Sequence, residues 1–318
     1  MKLKFLSCHI AFTLTFIFSS GLIAKSSGIR ERLSIPIGGI QQWITMDGTN
    51  DQHPVLLFLH GGPGNSVISY ADKFTGELQK HFVVVQWDQR ASGKTEKLNP
   101  AESTLTVSQM TSDAVEVINY LRKRFSKEKI YLAGHSWGGF LALEVAISHP
   151  ELLYACIPSA PMVNQLESER KTLDWLLENA RAKNNKEAIG ELEQVRIPFE
   201  NGDQLYFDRR WLQLSNKKNP ISRSFINKWA KTWLPLFNEA CAVNLFTQAP
   251  EIRCPVYFLV GSTDRQADSK ITERYYQTLK AEKKVLIWFT NSGHNLNVTE
   301  PEKYQKTIIA ILTETAKP

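Results

Sequence analysis

Gly134-His135-Ser136-Trp137-Gly138-Gly139 decides how this chain of 318 residues is read. Ahead of it runs Lys129-Ile130-Tyr131-Leu132-Ala133, short, apolar and strand-like. Behind it runs Phe140-Leu141-Ala142-Leu143-Glu144-Val145-Ala146, nearly all apolar, as a buried helix requires. Strand, sharp turn and helix, with a serine at the apex, is the setting in which Gly-x-Ser-x-Gly makes a nucleophile elbow. Such a turn strains the serine backbone, and Gly134 and Gly138 leave room where a Cβ would clash. The hydroxyl then stands clear of the sheet, and the helix aims its first N–H groups at the reacting centre.

An elbow serine needs an acid, a base and a place for an oxyanion. Asp264 follows the strand-like Val256-Tyr257-Phe258-Leu259-Val260, within Gly261-Ser262-Thr263-Asp264. His294 follows Val285-Leu286-Ile287-Trp288-Phe289, within Asn291-Ser292-Gly293-His294-Asn295. Both lie just past strand ends, the edge at which an open α/β sheet forms its site. The chain order Ser, Asp, His is that of hydrolases built on this elbow. Asp268 is the alternative acid, further from the strand and placed as a helix start.

Upstream, Val55-Leu56-Leu57-Phe58-Leu59 runs into His60-Gly61-Gly62-Pro63-Gly64. No Lys-Ser/Thr completes a P-loop, whereas His-Gly-Gly matches the oxyanion loop that accompanies the elbow. One donor is assigned to the backbone N–H of Gly62 and the other to that of Trp137, each worth roughly 3–4 kcal/mol to a developing oxyanion. His60 precedes the nucleophile on a strand end and reads as a structural hydrogen-bonding residue. Asp88 and Arg90, after the strand Phe82–Trp87, read as a structural ion pair or a turn-fixing pair. The expected chemistry is attack by Ser136 on a carbonyl carbon, proton transfer through His294, and orientation of the imidazole by Asp264, with no metal or cofactor.

The remaining pattern alternates strands and helices. Leu33–Ile37 and Ile40–Ile44 form a hairpin through Gly38-Gly39. Val107, Met110, Ala114, Val117, Ile118, Leu121 and Phe125 mark one helical face. Leu153–Ile157 is another strand. This predicts an α/β-hydrolase fold, a mostly parallel sheet with helices on both faces. From 161 to 245 the pattern is helical, with Tyr206, Phe207, Trp211, Phe225, Trp229, Trp233 and Phe237 at helix-like spacings. That stretch reads as a cap inserted between core segments 25–160 and 246–318, some of its aromatics lining an apolar pocket. Thr299-Glu300-Pro301-Glu302 reads as a helix start with a capping-box pair.

Met1-Lys2-Leu3-Lys4 followed by the mostly apolar run to Ala24 describes a signal peptide, with cleavage after Ala24 and export to the periplasm or medium. An uncleaved membrane anchor is the alternative. The net charge of +6 is scattered, with no basic helix or recognised motif, so nucleic-acid binding is not expected. After cleavage Cys156, Cys241 and Cys254 remain: a Cys241–Cys254 disulfide is possible, and three buried thiols are the favoured reading.

His60-Gly61-Gly62-Pro63-Gly64, Trp87-Asp88-Gln89-Arg90, Gly134–Gly139, Gly261–Asp264 and Gly293-His294 together resemble the proline iminopeptidase (prolyl aminopeptidase) family of α/β hydrolases. The match runs from about Leu33 to the C-terminus. It implies a capped α/β-hydrolase core and a serine peptidase that removes N-terminal residues, typically proline. The family usually has Gly where Ala91 stands and Gly where His135 stands. Its cap carries a Trp-Glu element and glutamates that bind the substrate's free amine. Here Ala230 and Leu234 follow Trp229 and Trp233, and Glu167, Glu169, Glu200 and Glu239 are the available cap carboxylates. A small peptide or amide is therefore the first expected substrate. A small acyl ester, cleaved by a carboxylesterase, is the second, and a ligand-binding protein on a hydrolase scaffold is the third reading.

Overall fold

Gly38 and Gly39, both at positive φ, turn β1 (Ile29–Ile37) back onto β2 (Ile40–Gly48) in the computed structural model, which describes residues 27–100 and 104–315. The proposed leader at 1–24 lies outside the described residues. Six further strands join this hairpin: β3 (Val55–Leu59), β4 (Val83–Asp88), β5 (Ile130–His135), β6 (Leu153–Ser159), β8 (Val256–Gly261) and β10 (Lys284–Phe289). A separate two-stranded ribbon pairs β7 (Glu251–Ile252) with β9 (Lys280–Ala281). The main sheet has the order β1-β2-β4-β3-β5-β6-β8-β10. Pairing is antiparallel from β1 through β4 and parallel from there onward.

The apolar strand sequences follow from burial on both faces. Along β3, Leu57 and Leu59 join the core that holds Val107–Arg124 and Trp137–Ser148. Leu56 and Phe58 join the opposite core, closed by the last helix, Pro301–Thr315. Each such fully buried aliphatic or aromatic side chain contributes roughly 1.5–3 kcal/mol.

Order along the sheet reverses at β3. The chain moves from β3 outward to β4, then returns to place β5 on the other side of β3, in register Leu59 opposite Gly134. A crevice opens beyond the strand ends at such a reversal. Here those ends carry His60-Gly61-Gly62 and Ser136.

Between β6 and β8 the chain is helical: Gln165–Ala182, Lys186–Leu192, Gly202–Ser215, Arg223–Ala242 and Leu245–Gln248. The two ends of this segment meet in a bridge between Asn164 and Asn244, and Leu245 N–H donates to Val163 O at 3.0 Å. Both asparagines also cap helices through their side chains.

One local reading is corrected. Thr299 does not cap the last helix: its hydroxyl donates to Asn295 O inside the short helix Leu296–Thr299. The helix begins at Pro301 instead, and Glu300 turns back to accept from Ser292 Oγ at 2.6 Å and Asn291 N at 3.2 Å. Cys156, Cys241 and Cys254 are all buried free thiols. Burial raises the pKa of each, which disfavours the thiolate. No helix among the described residues is long and apolar enough to cross a membrane.

Candidate active site

Ser136 sits between β5 and the helix Trp137–Ser148 with φ 57° and ψ −118°. A residue with a Cβ adopts that conformation only where its surroundings impose it. The flanking glycines show how. A Cβ on Gly134 would collide with the Gly138 carbonyl, and one on Gly138 would collide with the carbonyl of Leu59. Ser136 N–H donates to Ser159 O of the neighbouring strand at 2.9 Å, which fixes the apex.

The Ser136 hydroxyl lies 3.0 Å from His294 Nε2, and His294 Nδ1 lies 2.9 Å from Asp264 Oδ2. A carboxylate on Nδ1 fixes the proton there, leaving Nε2 as the acceptor facing the hydroxyl. The other Asp264 oxygen accepts from the backbone N–H of Gln266 and Ala267 at 2.9 and 3.1 Å. The two loops approach closely at Gly261, where a Cβ would strike the Gly293 carbonyl. Asp268 lies elsewhere. It caps the helix Ser269–Thr278 through Lys270 N and Ile271 N, and pairs with Lys171 at 3.0 Å.

The glycine loop after β3 lies against the elbow. A Cβ on Gly61 would meet His135 O at 3.0 Å and Ser136 Cβ at 3.3 Å. Gly62, at φ 120°, lines the same cavity as Ser136. Trp137 is the first residue of its helix, so its N–H has no acceptor within that helix. Both intended oxyanion donors therefore come from the same corner of the fold.

Gln89 locks that corner. Its side-chain NH2 donates to His60 O at 2.9 Å, and its oxygen accepts from the Trp137 indole at 2.9 Å. His60 is buried. Its Nδ1 donates to Gly61 O at 3.0 Å, and its Nε2 accepts from Gln89 N–H at 3.3 Å beside Ser92 Oγ at 3.0 Å. Burial lowers its pKa, with the Gly61 and Asp88 contacts opposing. It is a structural residue, placed 1 % exposed in this network.

Asp88 and Arg90 do not form the pair read from sequence. Arg90 binds Asp113 of the helix Val107–Arg124 through Nε at 2.7 Å, and reaches Gly38 O at 2.7 Å. Asp88 accepts from the Ser66 hydroxyl and from Lys94 N at 2.7 Å, fixing the turn after β4. Ala91 within that turn stands at φ 56°, the left-handed region that glycine enters without strain.

His135 contributes a contact that its sequence position does not disclose. Its Nε2 donates to the main-chain oxygen of His294 at 2.8 Å, and the two rings lie 5.0 Å apart. Burial first, and His294 second, lower its pKa to about 4.

A cavity of about 110 Å³ opens over Ser136. Met162, Leu205, Ile226, Trp229 and Phe237 give it apolar walls, and Gln165, Arg209, Gln213 and Gln266 give it polar ones. Trp229 also donates from its indole to Pro63 O at 2.8 Å, and Trp233 packs on Gly64 where no Cβ fits. None of the cap glutamates lines this cavity. Glu167 pairs with Arg274, Glu200 accepts from Gln204, and Glu239 accepts from Val107 N. Glu169 is buried against Arg209, which also binds Asp208. Burial pushes Asp208 up to about 7, against the pull of Arg209. Gln165 joins this group. Its two N–H bonds go to Glu169 at 2.7 Å and Gln266 O at 2.6 Å, and its oxygen is buried without a partner.

The family model described as serine aminopeptidase, S33, matches residues 50–302. The chain belongs to that serine aminopeptidase family. Probable aminopeptidase YbaC of Bacillus subtilis (strain 168) is 31% identical over 307 residues, covering 89% of this chain and 96% of that protein. A proline iminopeptidase of Heyndrickxia coagulans is 25% identical over 282 residues, covering 85% and 94%. Among solved structures, a proline iminopeptidase-related protein from Thermus thermophilus is 22% identical with a TM-score of 0.60, covering 90% of this chain and 98% of that one. A bacterial membrane phospholipase A is 19% identical with a TM-score of 0.65, covering 91% and 87%. These two likenesses establish the α/β-hydrolase fold. As a member of the S33 aminopeptidases the protein is a hydrolase. Among its described residues, no three His, Cys, Asp or Glu side chains converge as a metal site.

Sequence reading did not find Gln165, Arg209, Gln213 and Gln266 in this S33 aminopeptidase. Gln165, Arg209 and Gln213 lie on cap helices, where polar residues are usually solvated, and only the folding of the cap over Ser136 turns them inward; Gln266 lies in the loop after Asp264.

Proposed function

We propose that this S33 aminopeptidase is of the proline iminopeptidase type, releasing N-terminal residues from small peptides or amides through an acyl-enzyme. The observation that carries the proposal is the hydrogen-bonded chain Ser136–His294–Asp264 beneath a cavity that also contains Gly62. In this reading Ser136 Oγ attacks the carbonyl carbon as its proton passes to His294 Nε2. The Gly62 and Trp137 N–H groups receive the oxyanion. The C–N bond breaks and the proton passes to the leaving nitrogen. Water then gives a proton to His294, attacks the ester, and restores the Ser136 hydroxyl as the acid leaves. Asp264 holds the imidazole with its proton on Nδ1 throughout.

Gln165 supports a free amine on the acyl side. Both its N–H bonds are committed, so its unfilled oxygen faces the role of acceptor, backed by two carboxylates that share one guanidinium. A cation-accepting amide in place of an exposed cap glutamate fits the departures seen in the cap sequence. The apolar walls favour a second reading, a carboxylesterase acting on small acyl esters.

Rates on proline and alanine anilides, on their N-acetylated forms and on short acyl esters separate the two, with Ser136→Ala as the blank. Anilide cleavage abolished by N-acetylation is the expected result. Ester cleavage alone would leave the carboxylesterase. The basic then apolar residues 1–24 support export, and the N-terminal sequence of the mature protein tests it: a start at Lys25 is expected.

A further inference from the structure

Two neighbouring cavities are bordered one by Ser136 and the other by His294. The cavity of about 110 Å³ contains Ser136 and Gly62 but is not bordered by His294. A second, of about 250 Å³, is bordered by His294 and Asp264 but not by Ser136. Gln213 and Gln266 border both. Nucleophile and base thus open onto different spaces. In acyl transfer the acyl carbon stays on the serine oxygen, while the departing atom takes the proton that the histidine carries. The part of the substrate that leaves therefore belongs on the His294 side.

The second cavity differs in chemistry. Its wall is mostly amides and hydroxyls, with two exposed cations, Lys218 and Arg265. Asp264 is its sole carboxylate among the described residues, and both oxygens of Asp264 are already engaged. Arg265 lays its guanidinium over the Trp175 ring, 4.1 Å from the ring centre, and neither cation pairs with a carboxylate among the described residues. A wall with two uncompensated cations attracts an anion.

We propose that this cavity is a leaving-group subsite for a carboxylate-bearing leaving group, so that the preferred amide substrates are dipeptides and other short peptides with a free C-terminus. The proposal rests on the acyl-transfer reading of Ser136 and His294. Ser136 Oγ bonds to the acyl carbon, the C–N bond breaks, and the proton from Ser136 reaches the departing amine through His294. The released amino acid then sits with its carboxylate against Lys218 and Arg265 before it diffuses away.

The test uses three substrates with one common N-terminal residue: a dipeptide, its C-terminal amide, and the anilide as reference. The ratio of kcat/KM for the dipeptide to that for its amide is read, because it does not depend on the fraction of folded enzyme. A ratio of about ten in the wild type, falling towards one in a Lys218→Ala/Arg265→Ala double variant, is expected for two part-exposed ion pairs. Lys218→Arg should restore part of it. A wild-type ratio of one, or a ratio that the double variant leaves at ten, overturns the subsite. Should none of the amides be cleaved while esters are, the aminopeptidase reading fails alone. The same ratio is then taken from acyl esters whose alcohol carries or lacks a carboxylate. Cleavage of neither class would remove the acyl-transfer reading and the subsite with it.

Discussion

His135 Nε2 donates to the main-chain oxygen of His294, 2.8 Å away, so the residue before the elbow serine grips the backbone of the residue whose ring faces that serine. The contact joins the end of β5 to the loop after β10, across β6 and β8. His135→Ala removes this side-chain anchor on the His294 main chain. We expect kcat to fall about tenfold, the value of one net hydrogen bond, with KM nearly unchanged. His135→Gln keeps an N–H donor and should recover part of the loss. Equal kcat in all three proteins would remove this positioning role.

The same residue makes stability depend on acid. Its folded pKa of about 4 lies below the unfolded value near 6.5, so the unfolded chain binds the extra proton first. The stabilisation is full above about pH 6.5 and is lost as the pH falls to about 4, by up to about 3 kcal/mol. Urea unfolding at pH 7 and pH 4.5 measures it. In His135→Gln the fall between these two pH values should shrink, and an unchanged fall would assign the acid sensitivity to other groups.

Ser136→Ala and His294→Ala are each expected to reduce kcat by about 10⁴-fold or more, and their combination should cost little beyond either alone. Asp264→Asn should cost about 10⁴-fold through loss of the Nδ1–H tautomer. Steady-state rates on the best amide or ester check all four. Additive losses in the double variant would mean that the two side chains do not act as one unit.

Arg209→Ala leaves Glu169, 1 % exposed, without its guanidinium. The expected destabilisation is about 3–5 kcal/mol, because an uncompensated charge stays buried. Arg209→Met combined with Glu169→Gln and Asp208→Asn removes all three charges of the group and should be more stable than Arg209→Ala. Thermal or urea unfolding of the two variants ranks them, and the opposite ranking would deny that the three side chains form an electrostatically closed group.

Gln165 borders the cavity and its oxygen is buried without a partner, and Gln165→Leu removes that acceptor. For substrates with a free N-terminus KM should rise about tenfold or more, as for a hydrogen bond to a charged group. N-acetylated esters should respond much less. A rise shared equally by both classes would make Gln165 a packing residue.

The amino-acid sequence by itself determined the elements and the serine's setting. Five apolar residues from Val55 to Leu59 are a buried strand in any packing, and a serine between Gly134 and Gly138 at a strand–helix junction has few other conformations open to it. The spacing of Asp264 and His294 behind apolar strands likewise placed them at strand ends, since that depends only on local periodicity. Partners distant in the chain were another matter. That Arg90 binds Asp113 rather than Asp88, that Glu300 turns back to Ser292, and that His135 reaches His294 O follow from which strands lie side by side. Strand order is set by burying apolar faces across the whole sheet, and no local pattern encodes it. The polar wall of Gln165, Arg209, Gln213 and Gln266 exists only once the helices between Asn164 and Asn244 fold over Ser136. Gln165, Arg209 and Gln213 lie on helices and Gln266 in the loop after Asp264, but only the packed cap decides which of them face the serine.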